Sequence, residues 1–335
     1  TIILSGGANK GSIHLGALHY YYRQGRCNNV VNFIGTSIGA VISLLLVCGY
    51  TPIEIFTRIY HLDTEKLFPM SSLIMSFDNL GILNIQPFID EIKEMVSLKF
   101  GEIPTMSQLW ELTKKNLVIT VVNLTEKRCE YWSRTTTPDV SCIDAVKFSC
   151  SLPLVFYRQD PVDIVAMGLN TSIYYKTSCD ITTVDKRPSI TKPVTNIYYV
   201  DGGLLNNLPV DVLDMIFYKE MQSRSDASID VFDCLAILLT ETHNTDTTSL
   251  LQYISAILTI SFTNESIEKC ARYIDRITET TIDGKMYRQT INLLRIVYNT
   301  TDLHLHNMIF VDKTNMMKMF VYGDNYAELD DRFVV

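Results

Sequence analysis

Short apolar runs alternate along the chain with longer apolar or amphipathic stretches, and glycines stand at many of the junctions. The runs at 1–4, 30–34 and 233–239 have the length and composition of buried strands. The stretches at 13–18 and 38–48 are apolar enough for helices packed inside the fold. This alternation of strands and helices predicts an α/β fold with a mainly parallel central sheet.

Five other regions have weaker patterns. Residues 248–260 and 266–297 are predicted to be largely helical, the second from apolar spacing at Ile267, Cys270, Ile274 and Ile277. Residues 308–311 are predicted to be a final strand, and 162–196 to be strands joined by an exposed excursion. The apolar stretch at 67–77 has two interpretations: a buried helix or loop, or a lid or acyl-channel wall that touches a membrane.

Composition and charge exclude several classes of protein. The chain has 335 residues, of which 47% are hydrophobic, enough for a large core, and no run reaches the length of a membrane span. A net charge of −8 argues against non-specific binding to nucleic acid or anionic membranes. The eight cysteines form no C-x-x-C pair, which favours free thiols in a reducing compartment. No metal site or signal peptide is visible, and because Thr1 lies in the predicted first strand we expect upstream residues to have been removed.

The candidate nucleophile is Ser37, in the sequence Gly35-Thr36-Ser37-Ile38-Gly39, which has the pattern G-x-S-x-G. A nucleophilic serine needs a sharp turn between a strand and a helix, and such a turn brings backbone atoms close together. Gly35 and Gly39 remove the side chains that would obstruct those approaches. The pattern also occurs by chance, so its weight comes from the apolar strand before it and the apolar helix after it.

A glycine-rich segment follows the first predicted strand, with the sequence Ser5-Gly6-Gly7-Ala8-Asn9-Lys10-Gly11-Ser12. Backbone N–H groups in such a segment can receive an anion, either a phosphate or the oxyanion of an acyl-transfer intermediate. The segment fits neither nucleotide-binding pattern, because Lys10 precedes Gly11 and because Gly6 and Gly7 are adjacent. The alternative is a tight turn that binds no ligand.

Asp201 is the candidate proton acceptor. It ends a short β-prone run and precedes Gly202 and Gly203, so its carboxylate can lie at a strand end close to other backbone. None of the six histidines lies in a recognisable strand-end motif after the serine. A serine paired directly with an aspartate therefore explains the sequence better than a Ser-His-Asp triad. The alternative for Asp201 is a plain turn residue.

These three motifs, in this order, resemble those of the patatin-like phospholipase family. Two further segments are similar to family blocks: 144–153, which matches a helix-to-proline block, and 206–210, which matches the segment after the aspartate. The resemblance implies a three-layer α/β/α patatin-like fold with a mainly parallel central sheet and additional C-terminal helices. It covers residues 1–215 as the catalytic core; residues 216–335 are then expected to supply the remaining strands and a helical C-terminal part of the same domain.

The resemblance also implies an activity: a lipid acyl hydrolase of phospholipase A or lysophospholipase type that uses a Ser-Asp dyad and no cofactor or metal. Ser37 attacks the ester and Asp201 accepts its proton, while Gly7 and Ala8 donate N–H groups to the oxyanion and Gly6 shapes the turn. The supporting residues that the resemblance implies are Lys10, Gly11, Gly35, Gly39, Gly202 and Gly203.

Two positions need comment. The family often has a third consecutive glycine where this chain has Ala8; if that position requires a positive φ, alanine costs about 1 kcal/mol or distorts the oxyanion hole. Lys10 occupies the family's basic position, where it either contacts a lipid phosphate or the nucleophile backbone, or is simply solvated. A carboxylate with an ordinary pKa near 4 is a weak base, so a partly desolvated site that raises the pKa of Asp201 would help catalysis.

Three alternatives stay open at this stage. A transacylase would use the same dyad but transfer the acyl group to a lipid alcohol instead of water. A catalytically silent lipid-binding protein would keep the fold, and Ala8 is the one feature that favours it. A triad-type hydrolase would need His243 or His304. We expect an acyl-lipid substrate such as a phospholipid, peripheral contact with a membrane surface, a cytoplasmic location and no nucleic-acid partner.

Overall fold

The computed structural model describes residues 1–69, 79–163, 196–213, 231–242, 277–282, 285–299 and 312–330. The strands are β1 (Ile2–Leu4), β2 (Asn32–Thr36), β3 (Asn116–Asn123), β4 (Arg128–Ser133), β5 (Val162–Asp163), β6 (Asn196–Ile197), β7 (Tyr199–Asp201), β8 (Val231–Thr242), β9 (Ile277–Ile282) and β10 (Lys285–Asn299). The helices are α1 (Gly11–Arg23), α2 (Ile38–Val47), α3 (Pro52–His61), α4 (Thr64–Leu67), α5 (Gln86–Phe100), α6 (Met106–Thr113), α7 (Cys142–Ser149) and α8 (Lys313–Leu329). Short 3-10 helices span Ala8–Lys10 and Gly202–Leu204.

The central sheet has eight strands, in the order β4-β3-β2-β1-β8-β10-β9, with β7 added beside β3. The five strands from β3 to β10 in this order are mutually parallel, while β4, β7 and β9 pair antiparallel with their neighbours. β5 and β6 form a separate two-stranded ribbon. The predicted α/β fold with a mainly parallel central sheet is therefore confirmed.

Two strands of this sheet meet end to end beside β3. β2 pairs with the first part of β3 and ends with Thr36 opposite Thr120. β7 pairs with the last part of β3, and its Asp201 lies opposite Val121. Because β4 already occupies the other edge of β3 there, β7 must lie on the same edge as β2. The residue after Thr36 and the last residue of β7 therefore face each other.

Both faces of the sheet carry apolar cores. Alternate residues of a strand point to opposite faces, so Ile2 and Leu4 of β1 enter the larger core while Ile3 enters the smaller one. Seven of the described helices, all except α4, contribute to the larger core. The smaller core holds Ile34 and Val118 together with residues of the segment 208–213. Both sides of β1 are thus buried, as a central parallel strand requires.

α8 packs against α1 at an unusually close approach. A Cβ atom added to Gly16 would collide with the Phe320 carbonyl, and one added to Gly323 would collide with the Ile13 carbonyl. Arg23 extends the contact with two hydrogen bonds to the Asp324 carboxylate, at 2.9 and 2.8 Å. Among the helices that the structure describes, none is long and apolar enough to cross a membrane.

One prediction for the C-terminal third is wrong. Within residues 266–297, which the sequence pattern assigned to helix, the described parts are strands: β9 and most of β10. β9 is rich in the β-branched residues Thr and Ile, and β10 pairs in parallel with β8 from Arg288 to Asn299. A local apolar spacing does not reveal this long-range pairing, and most of the residues that gave the spacing, from Ile267 to Ile274, lie outside the described residues. The strand predicted at 233–239 is confirmed as part of β8.

Several predicted features lie outside the described residues. These are the helix at 248–260, the strand at 308–311, most of the segment 162–196 and the part of the apolar stretch beyond Pro69. Phe68, which is described, packs in a small third apolar cluster with Ile82, Leu83, Leu152 and Val155.

Candidate active site

Ser37 stands on a sharp turn between β2 and α2. Its backbone has φ 54° and ψ −124°, a combination that a non-glycine residue adopts only at a cost. The flanking glycines make the turn possible: a Cβ on Gly35 would collide with the Gly39 carbonyl, and one on Gly39 would lie 2.5 Å from the Leu4 carbonyl oxygen. Ser37 as a residue is intermediate between buried and exposed.

The hydroxyl of Ser37 donates a hydrogen bond of 2.7 Å to Oδ2 of Asp201. The other carboxylate oxygen, Oδ1, accepts the N–H of Gly203 at 2.8 Å. Asp201 is 2% exposed, and this burial raises its pKa to about 7, against the opposing effect of the hydrogen bonds from Ser37 and Gly203. Close to neutral pH the carboxylate is thus a far better proton acceptor than an ordinary aspartate.

No hydrogen bond between a histidine and this pair occurs among the residues that the structure describes. His14 lies in α1, is fully buried, and makes a hydrogen bond of 2.9 Å from Nε2 to the Ser5 carbonyl. Burial lowers the pKa of His14 to about 4, so its imidazole is neutral. His243 and His304, on which the triad alternative depends, lie outside the described residues.

The glycine-rich segment lies directly against the serine. A Cβ added to Gly6 would be 3.3 Å from the Ser37 Cβ and 2.5 Å from Oδ1 of Asn207. The N–H of Gly6 is used in a hydrogen bond of 3.2 Å to the Asn207 carbonyl, which fits a role in shaping the turn. For the N–H groups of Gly7 and Ala8, the described part of the chain offers no hydrogen-bond acceptor. They are the two N–H groups that the family resemblance implies as oxyanion donors.

Ala8 has a φ of 48°, in the left-handed region. This position thus does have a positive φ, and the alanine costs about 1 kcal/mol there. The turn nevertheless keeps its shape, with the N–H of Lys10 bonded to the Gly7 carbonyl at 3.0 Å.

Lys10 and Gly11 join this segment to α1. Lys10 is partly buried as a residue, and burial lowers the pKa of its amine to about 7. Gly11 allows α1 to begin close to α2, because a Cβ there would lie 2.6 Å from Cγ1 of Ile38. Gly202 allows a similar approach to β3, since a Cβ there would collide with the Thr120 carbonyl.

Sequence reasoning missed the residues at the end of α7 that surround the pair. Oγ of Ser149 accepts the N–H of Ser37 at 2.9 Å, and the Ser151 carbonyl accepts the N–H of Asp201 at 3.0 Å. The thiol of Cys150 interacts with Ser37; burial and the nearby Asp201 carboxylate raise the pKa of this thiol well above its usual value, so it stays protonated. The sequence gave one indication that this region matters, its similarity to a family block, but that similarity assigned no role to any of its residues.

A second polar cluster, which sequence reasoning also missed, fixes the position of the segment after Asp201. Nδ2 of Asn206 donates to the Tyr131 hydroxyl at 2.6 Å and to the Asp211 carboxylate at 2.8 Å, and the Tyr131 hydroxyl donates to the same carboxylate at 2.8 Å. The Asn206 carbonyl accepts from the Thr36 hydroxyl at 3.2 Å. This cluster fixes the Asn207 carbonyl that binds Gly6. Within the described ranges, no three metal-binding side chains come together.

Fold and site together define an α/β protein with a serine–aspartate pair at a strand-to-helix turn. The chain belongs to the family described as patatin-like phospholipase, whose model matches residues 2–214.

Viral proteins are among the relatives. The chain is 26% identical over 234 residues to "Probable lipid hydrolase 463L" of Invertebrate iridescent virus 6, an alignment that covers 69% of each chain. It is 29% identical over 218 residues to "Uncharacterized protein R571" of Acanthamoeba polyphaga mimivirus, covering 63% of this chain and 70% of that one.

Solved structures with a similar overall course include VipD from Legionella pneumophila, with 16% identity and a TM-score of 0.47 over 98% of this chain and 66% of that one. ExoU, in its complex with SpcU from Pseudomonas aeruginosa, has 16% identity and a TM-score of 0.44 over 98% of this chain and 51% of that one. The chain thus spans less than two thirds of VipD and about half of ExoU.

Proposed function

We propose that this protein is a lipid acyl hydrolase of phospholipase A or lysophospholipase type, with Ser37 as nucleophile and Asp201 as base. The observation that carries the proposal is the 2.7 Å hydrogen bond from the Ser37 hydroxyl to a buried carboxylate whose pKa is raised to about 7. Membership of a phospholipase family and a relative named as a probable lipid hydrolase support an ester of a lipid as the substrate.

In the first half of the reaction, Oγ of Ser37 attacks the carbonyl carbon of the ester while its proton passes to the carboxylate of Asp201. The N–H groups of Gly7 and Ala8 bind the negative oxygen that forms, and the N-terminal end of α2 adds its positive dipole. The bond to the alcohol or lysophospholipid then breaks, and this leaving group takes the proton from Asp201. The acyl group is now an ester of Ser37.

In the second half, water attacks the acyl-enzyme while Asp201 accepts one of its protons. The tetrahedral oxyanion uses the same N–H groups, and its collapse releases the fatty acid and returns the proton to Oγ of Ser37. Each step needs Asp201 first as a base and then as an acid, and a pKa close to the working pH serves both roles.

We extend the proposal to the whole chain. Residues 1–215 form the catalytic core, and residues 216–335 belong to the same domain, which is supported by the position of β8 between β1 and β10 in one sheet. The protein works in the cytoplasm and touches membrane surfaces peripherally to reach its substrate.

The test is labelling by a fluorophosphonate probe together with fatty-acid release from phosphatidylcholine vesicles. The parent protein, Ser37→Ala and Asp201→Asn are compared. Ser43→Ala is the matched control, because Ser43 is a buried serine of α2 whose hydroxyl bonds to the Ile34 carbonyl at 3.4 Å, away from the pair. We expect the parent and the control to label and release fatty acid, and the other two variants to do neither. A folded parent that does neither overturns the proposal.

A further inference from the structure

The end of α7 contacts both members of the serine–aspartate pair, although none of its side chains belongs to the proposed reaction. Ser149 binds the backbone of Ser37, and the backbone of Ser151 binds the backbone of Asp201. All three residues from 149 to 151 are buried. This segment therefore links two residues that are 164 positions apart in the sequence.

Ser149 makes the more specific of these contacts. Its Oγ accepts the Ser37 N–H at 2.9 Å and at the same time donates to the Thr120 carbonyl at 2.7 Å. Thr120 is the residue of β3 opposite Thr36, the last residue of β2, and the next residue, Val121, lies opposite Asp201. The hydroxyl of Ser149 thus connects the turn that carries Ser37 to the position on β3 where the end of β2 meets the end of β7.

The turn needs such a tie because its backbone is strained. Ser37 has a positive φ, and a residue keeps such a conformation only when its surroundings hold it there. The Ser37 carbonyl is held by the N–H groups of Ala40 and Val41, at 2.8 and 3.3 Å. On the other side, its N–H is held by Ser149. Without that second anchor, the peptide before Ser37 can rotate and carry the hydroxyl away from Asp201.

We propose that Ser149 is a positioning residue: its hydroxyl fixes the backbone of Ser37 so that the nucleophilic oxygen faces Asp201. The effect on catalysis rests on the proposed function, whereas the effect on the Ser37 backbone does not. Because the Ser37 N–H is used in this contact, it is not an oxyanion donor, and that task falls to other N–H groups.

The chain offers a matched control in the same segment. Ser151 is also a buried serine, but its hydroxyl bonds to the Lys147 carbonyl at 2.7 Å, and only its backbone contacts Asp201. Ser149→Ala removes the tie, Ser149→Thr keeps a hydroxyl at the position, and Ser151→Ala removes a buried serine hydroxyl without touching the pair. If Ser149→Ala does not fold, Ser149→Cys replaces it, because a thiol keeps the volume and weakens both hydrogen bonds.

Two quantities are measured in each variant. One is fluorophosphonate labelling, separated into the maximal rate and the half-saturating probe concentration. The other is hydrogen exchange of the Ser37 amide by NMR. We expect Ser149→Ala to lower the maximal labelling rate roughly tenfold to hundredfold with little change in half-saturation, as misplacement of a reacting group does. We expect the Ser37 amide of this variant to exchange faster than that of the parent. Ser149→Thr recovers part of the rate, and Ser151→Ala behaves as the parent.

Equal losses in Ser149→Ala and Ser151→Ala overturn the inference, because they indicate a general packing effect. A parental labelling rate in Ser149→Ala overturns it as well. If the parent itself does not label, the proposed function fails, and amide exchange then decides alone: faster exchange at Ser37 in Ser149→Ala but not in Ser151→Ala supports the tie, and equal exchange in the two variants overturns it.

Discussion

At the scale of single residues, the proposed chemistry depends on the carboxylate of Asp201. A serine hydroxyl is a weak nucleophile, and an exposed aspartate is too weak a base to help it much. Here the strand end buries the carboxylate and leaves it two hydrogen bonds, from Ser37 and Gly203. Burial outweighs both, so the pKa of Asp201 rises to about 7. The sequence indicated that a raised pKa of Asp201 would help catalysis, but it could not show how the fold buries the carboxylate.

Asp201 should make the protein's stability depend on pH. In the unfolded chain its pKa is near 4, whereas in the folded protein burial raises it to about 7. The folded state therefore holds this proton more tightly, and the stability from this group, present in full below about pH 4, is lost as the pH rises to about 7. Asparagine does not titrate.

We therefore expect Asp201→Asn to become more stable relative to the parent as the pH rises from about 4 to about 8. The difference in unfolding free energy between the two proteins should grow by an amount on the order of a few kcal/mol, and the difference in melting temperature should grow with it. Thermal unfolding of both proteins across this range measures it. Other titrating groups are common to both chains and cancel in the difference. A difference that stays constant with pH would contradict the raised pKa.

Ala8 provides a second prediction at this scale. Its φ of 48° suits glycine better than alanine. Ala8→Gly should raise the unfolding free energy by no more than about 1 kcal/mol, since relief of strain is partly offset by the greater freedom of glycine in the unfolded chain. Ala8→Val should lower it, because a β-branched residue tolerates this region least. Urea denaturation distinguishes them, and an equally stable Val variant would show that the position is not strained.

The residues of the site differ in how far the sequence could reveal them. Ser37, Gly35 and Gly39 are contiguous, and their spacing carries a steric reason that can be read locally. Asp201 could be identified from the short β-prone run that it ends, the two glycines that follow it and the lack of a histidine in a comparable motif, and the family resemblance then supported it. Ser149 gave no comparable signal, because a serine near the end of a helix has many ordinary roles, and its contact with Ser37 spans 112 positions.

At the scale of elements, the site depends on how closely β2, α2 and β1 approach. Gly39, in the first turn of α2, lies against the carbonyls of Leu4 and Ser5 at the end of β1. This contact brings the glycine-rich segment, which continues from β1, next to the Ser37 turn. A single side chain at Gly39 would separate the two halves of the site.

We expect Gly39→Ala to lower the unfolding free energy by about 3 kcal/mol or more, because its Cβ would lie 2.5 Å from the Leu4 carbonyl oxygen and neither backbone can yield easily. Gly49→Ala is the matched control: Gly49 has a φ of 89° but no atom within 4 Å of the added Cβ, so only its backbone preference is lost, about 1 kcal/mol. Denaturant titration of both variants measures the difference. Equal losses would contradict the close packing of α2 on β1.

At the scale of the whole molecule, the sheet extends well beyond the motifs. Local patterns predicted several of its central strands, because buried parallel strands contain short, nearly continuous apolar runs. The same reasoning failed for β9 and most of β10: the apolar spacing behind the predicted helix ran from Ile267 to Ile277 and so lay almost wholly before these strands. β10 pairs with β8, a strand more than 40 residues away, and β9 pairs with β10; the contact with β8 is not visible in local sequence.

The contact of α8 with α1 connects the C-terminal part to the site, since α1 begins directly after the glycine-rich segment. We expect Gly323→Ala to lower the unfolding free energy by about 1–3 kcal/mol, because the added methyl group would overlap the Ile13 carbonyl and force the helices apart. Arg23→Ala, which removes a half-exposed ion pair at the same interface, should cost less than about 1 kcal/mol. Thermal unfolding ranks the two variants, and the reverse order would contradict the contact.

The central claim is that Ser37 is activated by Asp201 directly, and the pH dependence of fluorophosphonate labelling tests it most directly. We expect the labelling rate of the parent to rise about tenfold per pH unit at low pH and to level off above a midpoint at about 7, the raised pKa of Asp201. Asp201→Asn should lose this rise together with nearly all labelling. A parent rate that does not change with pH, or an Asp201→Asn variant that labels at the parental rate with the parental midpoint, would contradict the account.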